Sequence, residues 1–279
     1  MLKIKFIPLV FLFSLTNLFS QAPALFVKGN TLQTIHNDTI MLRGASLGDL
    51  ASQNYYRMGG KNALDMLDVL TDTSKGWYIN LVRIPIHPDV NWGGDQTWPK
   101  INPVHFDTTQ LRPFIDKATE LGLYVMIDLH YVHNSYGIDG MGVYVDKRLR
   151  DFWKFIAPRY ANYENVMYEL FNEPIDDCQD WNSWVDRAQG WVDLIRSYAP
   201  NIIWVGAPCW SQQIGGSALK PIKGGNIGYV SHFIPIPVWI MQSERRKRLL
   251  PKLLLSLENG VGVRGNPPTY QNILITRKK

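Results

Sequence analysis

Short apolar runs alternate with longer stretches of helical period along most of this 279-residue chain, and that alternation restricts the fold more than any other feature. Thr39 to Arg43, Tyr78 to Ile84, Tyr124 to Leu129, Val166 to Phe171, Ile202 to Val205 and Ile227 to Ser231 read as strands. Between them, Lys61 to Thr71, Phe106 to Leu121, Arg148 to Tyr160 and Trp181 to Tyr198 read as helices. In the last of these, Trp184, Val185, Ala188, Trp191, Val192 and Ile195 share one face, and Pro200 ends it. Gly122 ends the Phe106 helix in the same way. Strands that alternate with helices imply a parallel sheet with right-handed crossovers. An open doubly wound sheet is the competing solution, but it carries a Gly-rich turn after its first strand, and Arg43-Gly44-Ala45-Ser46-Leu47-Gly48 offers none. Polar residues instead recur at successive strand ends: Arg83, His130, Asn172, Glu173, Cys209-Trp210 and His232. That recurrence favours a closed α/β barrel with one shared face, a (β/α)8 TIM barrel. There is no internal repeat.

With 46% hydrophobic residues, the chain suits one large domain with a substantial core. Its first 22 residues read as a signal peptide: Lys3 and Lys5 precede the apolar run Phe6 to Phe19, and Ser20-Gln21-Ala22 supplies small residues before a cut. The run is short for a membrane span, and no Cys lies near the cut, so neither a membrane anchor nor a lipid anchor is expected on the mature chain. The net charge of +5 would suggest nucleic-acid or membrane partners. Nine Lys/Arg and only two Asp/Glu fall in residues 234–279, however, so the excess belongs to the tail and no nucleic-acid partner is expected. Cys178 and Cys209 follow consecutive predicted strands on the same face. A disulfide is possible, but two thiols are the expectation. With no CxxC and no cluster of metal-ligand spacing, neither a metal nor a cofactor is expected.

The segment Tyr168-Glu169-Leu170-Phe171-Asn172-Glu173-Pro174 is the richest in chemistry. A buried strand delivers an amide and a carboxylate to its C-terminal mouth, and Pro174 is expected to stop further pairing there. A partly desolvated carboxyl group in that position keeps its proton near neutral pH and serves as a general acid. The plainer reading is a loop carboxylate that caps the next helix. Arg83, inside the apolar strand Asn80-Leu81-Val82-Arg83-Ile84-Pro85, must meet a partner, because an unpaired buried charge costs several kcal/mol. A purely structural ion pair is the alternative. His130 and His232 close two other strands, where a His is as often a satisfied core residue as a functional one. His133 stands three residues from His130, but no third ligand accompanies the pair. Trp210 either fills core or offers an aromatic face to a ligand.

Taken together, Leu42-Arg43-Gly44, Asn80 to Pro85, Asp128-Leu129-His130-Tyr131, Phe171-Asn172-Glu173-Pro174, Trp210-Ser211-Gln212 and Ser231-His232-Phe233 resemble glycoside hydrolase family 5, in order and spacing, from about Leu25 to Phe233. The Asn-Glu-Pro tripeptide alone is weak; the ordered set is specific. The resemblance implies a (β/α)8 barrel and retaining hydrolysis of β-linked polysaccharide; with the signal peptide, the expectation is a secreted, monomeric, endo-acting enzyme that cleaves β-1,4-linked polysaccharide by a double displacement. Mannan or xyloglucan as substrate, or an inactive carbohydrate-binding barrel, are the alternatives. By the same resemblance Glu173 is the acid/base, Asn172 binds the sugar 2-hydroxyl, Arg83 orders the nucleophile, and His130, His232 and Trp210 contact substrate. Retention needs a second carboxylate about 5–5.5 Å from the first. Lys252 to Leu257 offers a candidate seventh strand, and Glu258 after it is the only acidic residue beyond Glu244, so Glu258 is the candidate nucleophile.

The likeness stops after Phe233. Ile234 stands where the family carries Tyr, and Ser243 to Lys252 makes a poor amphipathic helix. An Arg/Leu/Pro-rich run is what an Ala-rich helix becomes when read one base out of frame. Residues 234–279 are therefore expected to be a divergent tail, frameshifted or truncated, leaving the barrel in residues 23–233 incomplete at its C-terminal end.

Overall fold

A computed structural model describes residues 22–87, 103–140, 142–178, 180–233 and the backbone of 272–274. Its centre is a six-stranded parallel sheet: Gly44–Ser46, Leu81–Ile86, Tyr124–Leu129, Val166–Glu169, Ile203–Val205 and Ile227–Tyr229. Each strand pairs with the next in the chain. Spatial order that follows chain order without reversal is the topology of a (β/α)8 barrel, whereas a doubly wound sheet reverses direction at a switch point. Helices Ala63–Leu70, Arg112–Glu120, Val145–Tyr160 and Trp181–Arg196 cover the outside.

Side-chain alternation sorts each strand into two faces. Val82, Ile84 and Ile86, with Val125, Ile127 and Leu129, point outward into the large core under the helices. Leu81, Tyr124, Met126 and Met167 point inward and pack with Trp204, Val230 and the N-terminal Leu25 and Leu32. Two residues further along the same inward face lie Arg83, Asp128 and Glu169, all buried. The barrel interior is thus an apolar floor with a charged layer above it, toward the C-terminal ends of the strands.

Three antiparallel strands, Leu25–Lys28, Thr31–Thr34 and Thr39–Ile40, bring the N-terminal segment against that floor. This corrects one expectation. Thr39 to Arg43 is not the first barrel strand, because its start belongs to the antiparallel ribbon and the barrel begins at Gly44. There the backbones come so close that a Cβ on Gly44 would lie 2.3 Å from the Leu81 carbonyl oxygen. The helix expected from Phe106 begins at Pro103 and includes a π-helical turn, Asp107–Leu111, before Arg112–Glu120. In that turn Asp107 is buried against the Tyr160 hydroxyl and Arg112.

Pro174 does not end strand pairing either. Glu173–Pro174 forms a short parallel pair with Val132–His133 at the barrel mouth. The donors are the flanking amides: Glu173 N–H to the Tyr131 carbonyl at 2.9 Å and Ile175 N–H to the His133 carbonyl at 3.0 Å. The N–H that proline lacks would face away from this ladder, so the pairing survives. Beyond the sheet, Ser231–Phe233 pairs antiparallel with Asn272–Leu274. The candidate strand Lys252 to Leu257, Glu258, Ile234 and the signal segment through Gln21 lie outside the described residues.

Candidate active site

The C-terminal mouth of the sheet holds one connected polar cluster centred on Arg83. Arg83 is 1% exposed, and its guanidinium meets three strands. Nε donates to Glu169 Oε2 at 2.6 Å and Nη2 donates to Glu169 Oε1 at 3.0 Å, a two-point grip on one carboxylate. Nη2 also lies 2.7 Å from Asp128 Oδ2 and donates to Asn172 Oδ1 at 2.7 Å, while Nη1 reaches Ser46 Oγ at 3.3 Å. Burial alone would pull the guanidinium pKa down. The carboxylates of Asp128, Glu169 and Glu173 outweigh it and push it up, so Arg83 stays charged. Burial raises Glu169 in turn, but Arg83 and His232 overcome this and hold its carboxyl at about 2, well below the usual range.

His232 ties this buried layer to the surface. Its Nε2 lies 3.3 Å from Glu169 Oε1 and its Nδ1 lies 2.8 Å from Glu173 Oε1. Burial would lower the imidazole pKa, but contact with the two carboxylates raises it to about 9. A cationic ring therefore donates to both glutamates. Glu173 is 8% exposed and stands at the top of the cluster. Below it, Asn172 is fully buried: Oδ1 accepts from Arg83, Nδ2 donates to the Tyr131 carbonyl at 3.3 Å, and its own carbonyl accepts from Ser211 Oγ at 2.6 Å. His130 Nδ1 sits 2.5 Å from Asp128 Oδ2, which turns Nε2 away from the aspartate. Its ring packs edge-on against His87 at 4.4 Å between centroids, and Asp49 holds His87 through its backbone N–H at 3.0 Å.

Arg83, Asn172, Glu173, His130 and His232 thus converge as their strand-end positions suggest. Glu258, the candidate nucleophile, falls outside the described residues. Trp210 lies at the rim, 44% exposed, in a turn that packs on the Glu173–Pro174 strand. The two-thiol expectation is overturned: Cys178 and Cys209 form a disulfide, with Cα atoms 4.6 Å apart. Neighbouring strands place their following loops side by side, and a hydrogen bond from Cys209 N–H to the Asp176 carbonyl aligns them.

Sequence reading missed Asp128 and Glu169 as members of the cluster. A signal for both was present. Each shares parity with an inward apolar neighbour, Met126 and Met167 respectively, so an acidic side chain there enters the barrel and needs a cation. Asp49 and His87 carried no comparable mark, because they meet through loop geometry.

A model of the cellulase family, glycosyl hydrolase family 5, matches residues 43–240. A cellulase from a Thermoanaerobacterium species, CelDZ1, is 27% identical over 241 residues, covering 84% of this chain and 57% of its own length. Endoglucanase E-5 of Thermobifida fusca is 30% identical over 219 residues, covering 74% of this chain and 41% of its own length. The chain therefore spans only about half the length of the curated relatives it matches. Among solved structures, the β-glucanase SdGluc5_26A of Saccharophagus degradans in complex with cellotetraose superposes with a TM-score of 0.66 at 26% identity, over 82% of this chain and 67% of that one. The catalytic domain of the Thermobifida fusca endoglucanase superposes with a TM-score of 0.58 at 25% identity, over 75% of this chain and 64% of that one.

Proposed function

The chain belongs to glycosyl hydrolase family 5, and from that premise we propose that it is a secreted endo-acting glycoside hydrolase that cleaves β-1,4-linked glucan with retention of configuration. The observation that carries this reading is the position of Glu173: a carboxyl group at the barrel mouth, hydrogen-bonded to His232 and backed by the Arg83–Glu169–Asp128 layer. Relatives named cellulase or endoglucanase, and a related β-glucanase crystallised with cellotetraose, support the choice of a β-glucan.

In this mechanism Glu173 gives its proton to the glycosidic oxygen as the bond breaks, while a second carboxylate attacks the anomeric carbon. Glu258 is the candidate for that second group. The deprotonated Glu173 then takes a proton from the water that releases the glycosyl-enzyme. His232 keeps Glu173 oriented throughout and closes the proton cycle: its Nδ1 proton passes to Glu173 to supply the acid, and returns to the imidazole after Glu173 has deprotonated the attacking water. Asn172 keeps one Nδ2 hydrogen for the sugar 2-hydroxyl, since its Oδ1 is held by Arg83. His130 and His232 line the subsites around the scissile bond, and Trp210 offers its indole face to a sugar. The N-terminal Lys3, Lys5 and apolar run support export. A non-hydrolytic carbohydrate-binding barrel is the second reading. Ile234, where the family carries Tyr, and the basic tail favour it, and resequencing the gene across codons 225–279 tests the frameshift behind it.

Glu173→Gln is the direct test. It removes the acid while keeping a similar shape, so hydrolysis of unactivated β-glucan should fall about 10²–10⁴-fold while cellotetraose binding persists. Wild-type turnover in this variant would remove Glu173 from the mechanism. Binding without hydrolysis by the unmodified chain would establish the non-hydrolytic reading.

A further inference from the structure

Cys209, Trp210 and Ser211 occupy the left-handed region consecutively, with φ of 61°, 56° and 57°. None is glycine, so in each the Cβ crowds the following carbonyl oxygen. Conformations of this kind persist only where the surroundings over-determine them. Here the restraints are specific. Cys209 is covalently bound to Cys178, and its N–H donates to the Asp176 carbonyl at 3.3 Å. Ser211 N–H donates to the Ala207 carbonyl at 3.0 Å, and Ser211 Oγ donates to the Asn172 carbonyl at 2.6 Å. Asp176 is itself fixed: its buried carboxylate accepts from Ser135 Oγ at 2.6 Å and from Arg187 Nη2 at 2.7 Å. Trp210 is the one residue of the three whose side chain reaches well into solvent, and it is held between two anchored neighbours.

We propose that the Cys178–Cys209 bridge is a positioning device for saccharide binding. It holds Trp210 in its left-handed conformation, so that the indole face is preset at the rim of the Glu173 site. Opening the bridge lets the backbone relax toward ordinary φ values and swings the indole away. Affinity for the saccharide falls, while the bond-breaking step, which uses groups below the rim, is untouched. This rests on the reading that the site takes a β-glucan. Both cysteines are partly exposed, so a small thiol reaches them. A dithiol such as dithiothreitol supplies the two electrons and two protons that convert the bridge to two thiols, and is itself oxidised to a cyclic disulfide.

The test compares cellotetraose binding, KM and kcat for the oxidised chain, the chain reduced with dithiothreitol and then alkylated, and Cys178→Ser, each shown to be folded by circular dichroism. Should Cys178→Ser fail to fold, the chemically reduced chain decides. The expected result is a KM and Kd raised roughly three- to tenfold, the range an aromatic stacking contact supplies, with kcat unchanged. In a Trp210→Ala background, opening the bridge should add nothing further. Equal KM in the oxidised and reduced forms would overturn the inference and leave the proposed function intact. So would an undiminished effect in Trp210→Ala, since the bridge would then act elsewhere. An oxidised chain that neither binds nor cleaves cellotetraose would overturn the proposed function and this inference with it.

Discussion

Arg83 illustrates why a buried ion pair is poor evidence for stability and good evidence for function. Taking a guanidinium and two carboxylates out of water costs several kcal/mol per ion, and their attraction roughly offsets that cost. Removing one partner is another matter. Arg83→Ala would leave Asp128 and Glu169 buried and uncompensated, so unfolding free energy should fall by about 3–5 kcal/mol in a denaturant titration. An unchanged midpoint would contradict the buried network. His232 is the second residue whose charge state matters. Its folded pKa of about 9 exceeds its ordinary 6.5, so its contribution is fully present below about pH 6.5 and is lost as pH rises through about 9. Glu169, depressed from 4.5 to about 2, contributes above about pH 4.5 and loses that contribution as pH falls toward 2. Stability should therefore peak between about pH 4.5 and 6.5 as far as these groups decide it. In melting temperatures taken across pH, His232→Gln should flatten the alkaline slope and, because His232 also helps to hold the Glu169 carboxyl down, reduce the acid slope without abolishing it, since Arg83 still grips Glu169. A slope between about pH 6.5 and 9 that survives the substitution would assign the titration to another group.

At the scale of single elements, close backbone approach governs the sheet edge. Gly44 opens the first barrel strand, and any side chain there would meet the Leu81 carbonyl carbon at 2.9 Å as well as its oxygen. The obstacle is main chain inside a parallel ladder, so it cannot rotate aside. Gly44→Ala should destabilise by about 1–3 kcal/mol through overpacking, visible as a lower melting temperature. A neutral or stabilising result would show that this edge gives way. Helices are legible in the sequence because each carries a long apolar stripe. Trp181–Arg196 matches its sequence pattern to within two residues, since Trp184, Val185, Ala188, Trp191, Val192 and Ile195 are all buried. Short strands are less legible. Thr39 and Ile40 look like any β-forming pair, and only the partner they find makes them part of a ribbon instead of the barrel.

Across the whole molecule, the barrel interior divides into a floor and a working layer. The floor is apolar because Leu81, Tyr124, Met126, Met167 and Trp204 have no polar group that must be matched across the barrel, apart from the Tyr124 hydroxyl, which donates to the Pro23 carbonyl at 2.8 Å, and the Trp204 indole N–H, 3.3 Å from the Met167 sulfur. The N-terminal ribbon is therefore part of the core and not a decoration. Deleting residues 23–40 should expose the floor, lower the melting temperature and increase binding of a hydrophobic dye. If the shortened chain melts as the full chain does, the ribbon contributes nothing to the core.

Local pattern alone determined the fold class and the converging face, because periodicity and strand-end polarity are properties of neighbouring residues. It placed Arg83, His130, Asn172, Glu173 and His232 at strand ends that do meet. It did not reveal that Asp128 and Glu169 complete the charge balance, that Cys178 and Cys209 join, or that Asp49 steadies His87. Strand parity marks Asp128 and Glu169 as inward-facing, but which groups they meet, and which loops lie side by side, is decided by contacts 31 residues or more apart in the chain. The reach of His232 to both Glu169 and Glu173 is of the same kind. Glu169 ends the strand Val166–Glu169 and Glu173 opens the separate short strand Glu173–Pro174, and only the curling of the sheet brings the histidine against both.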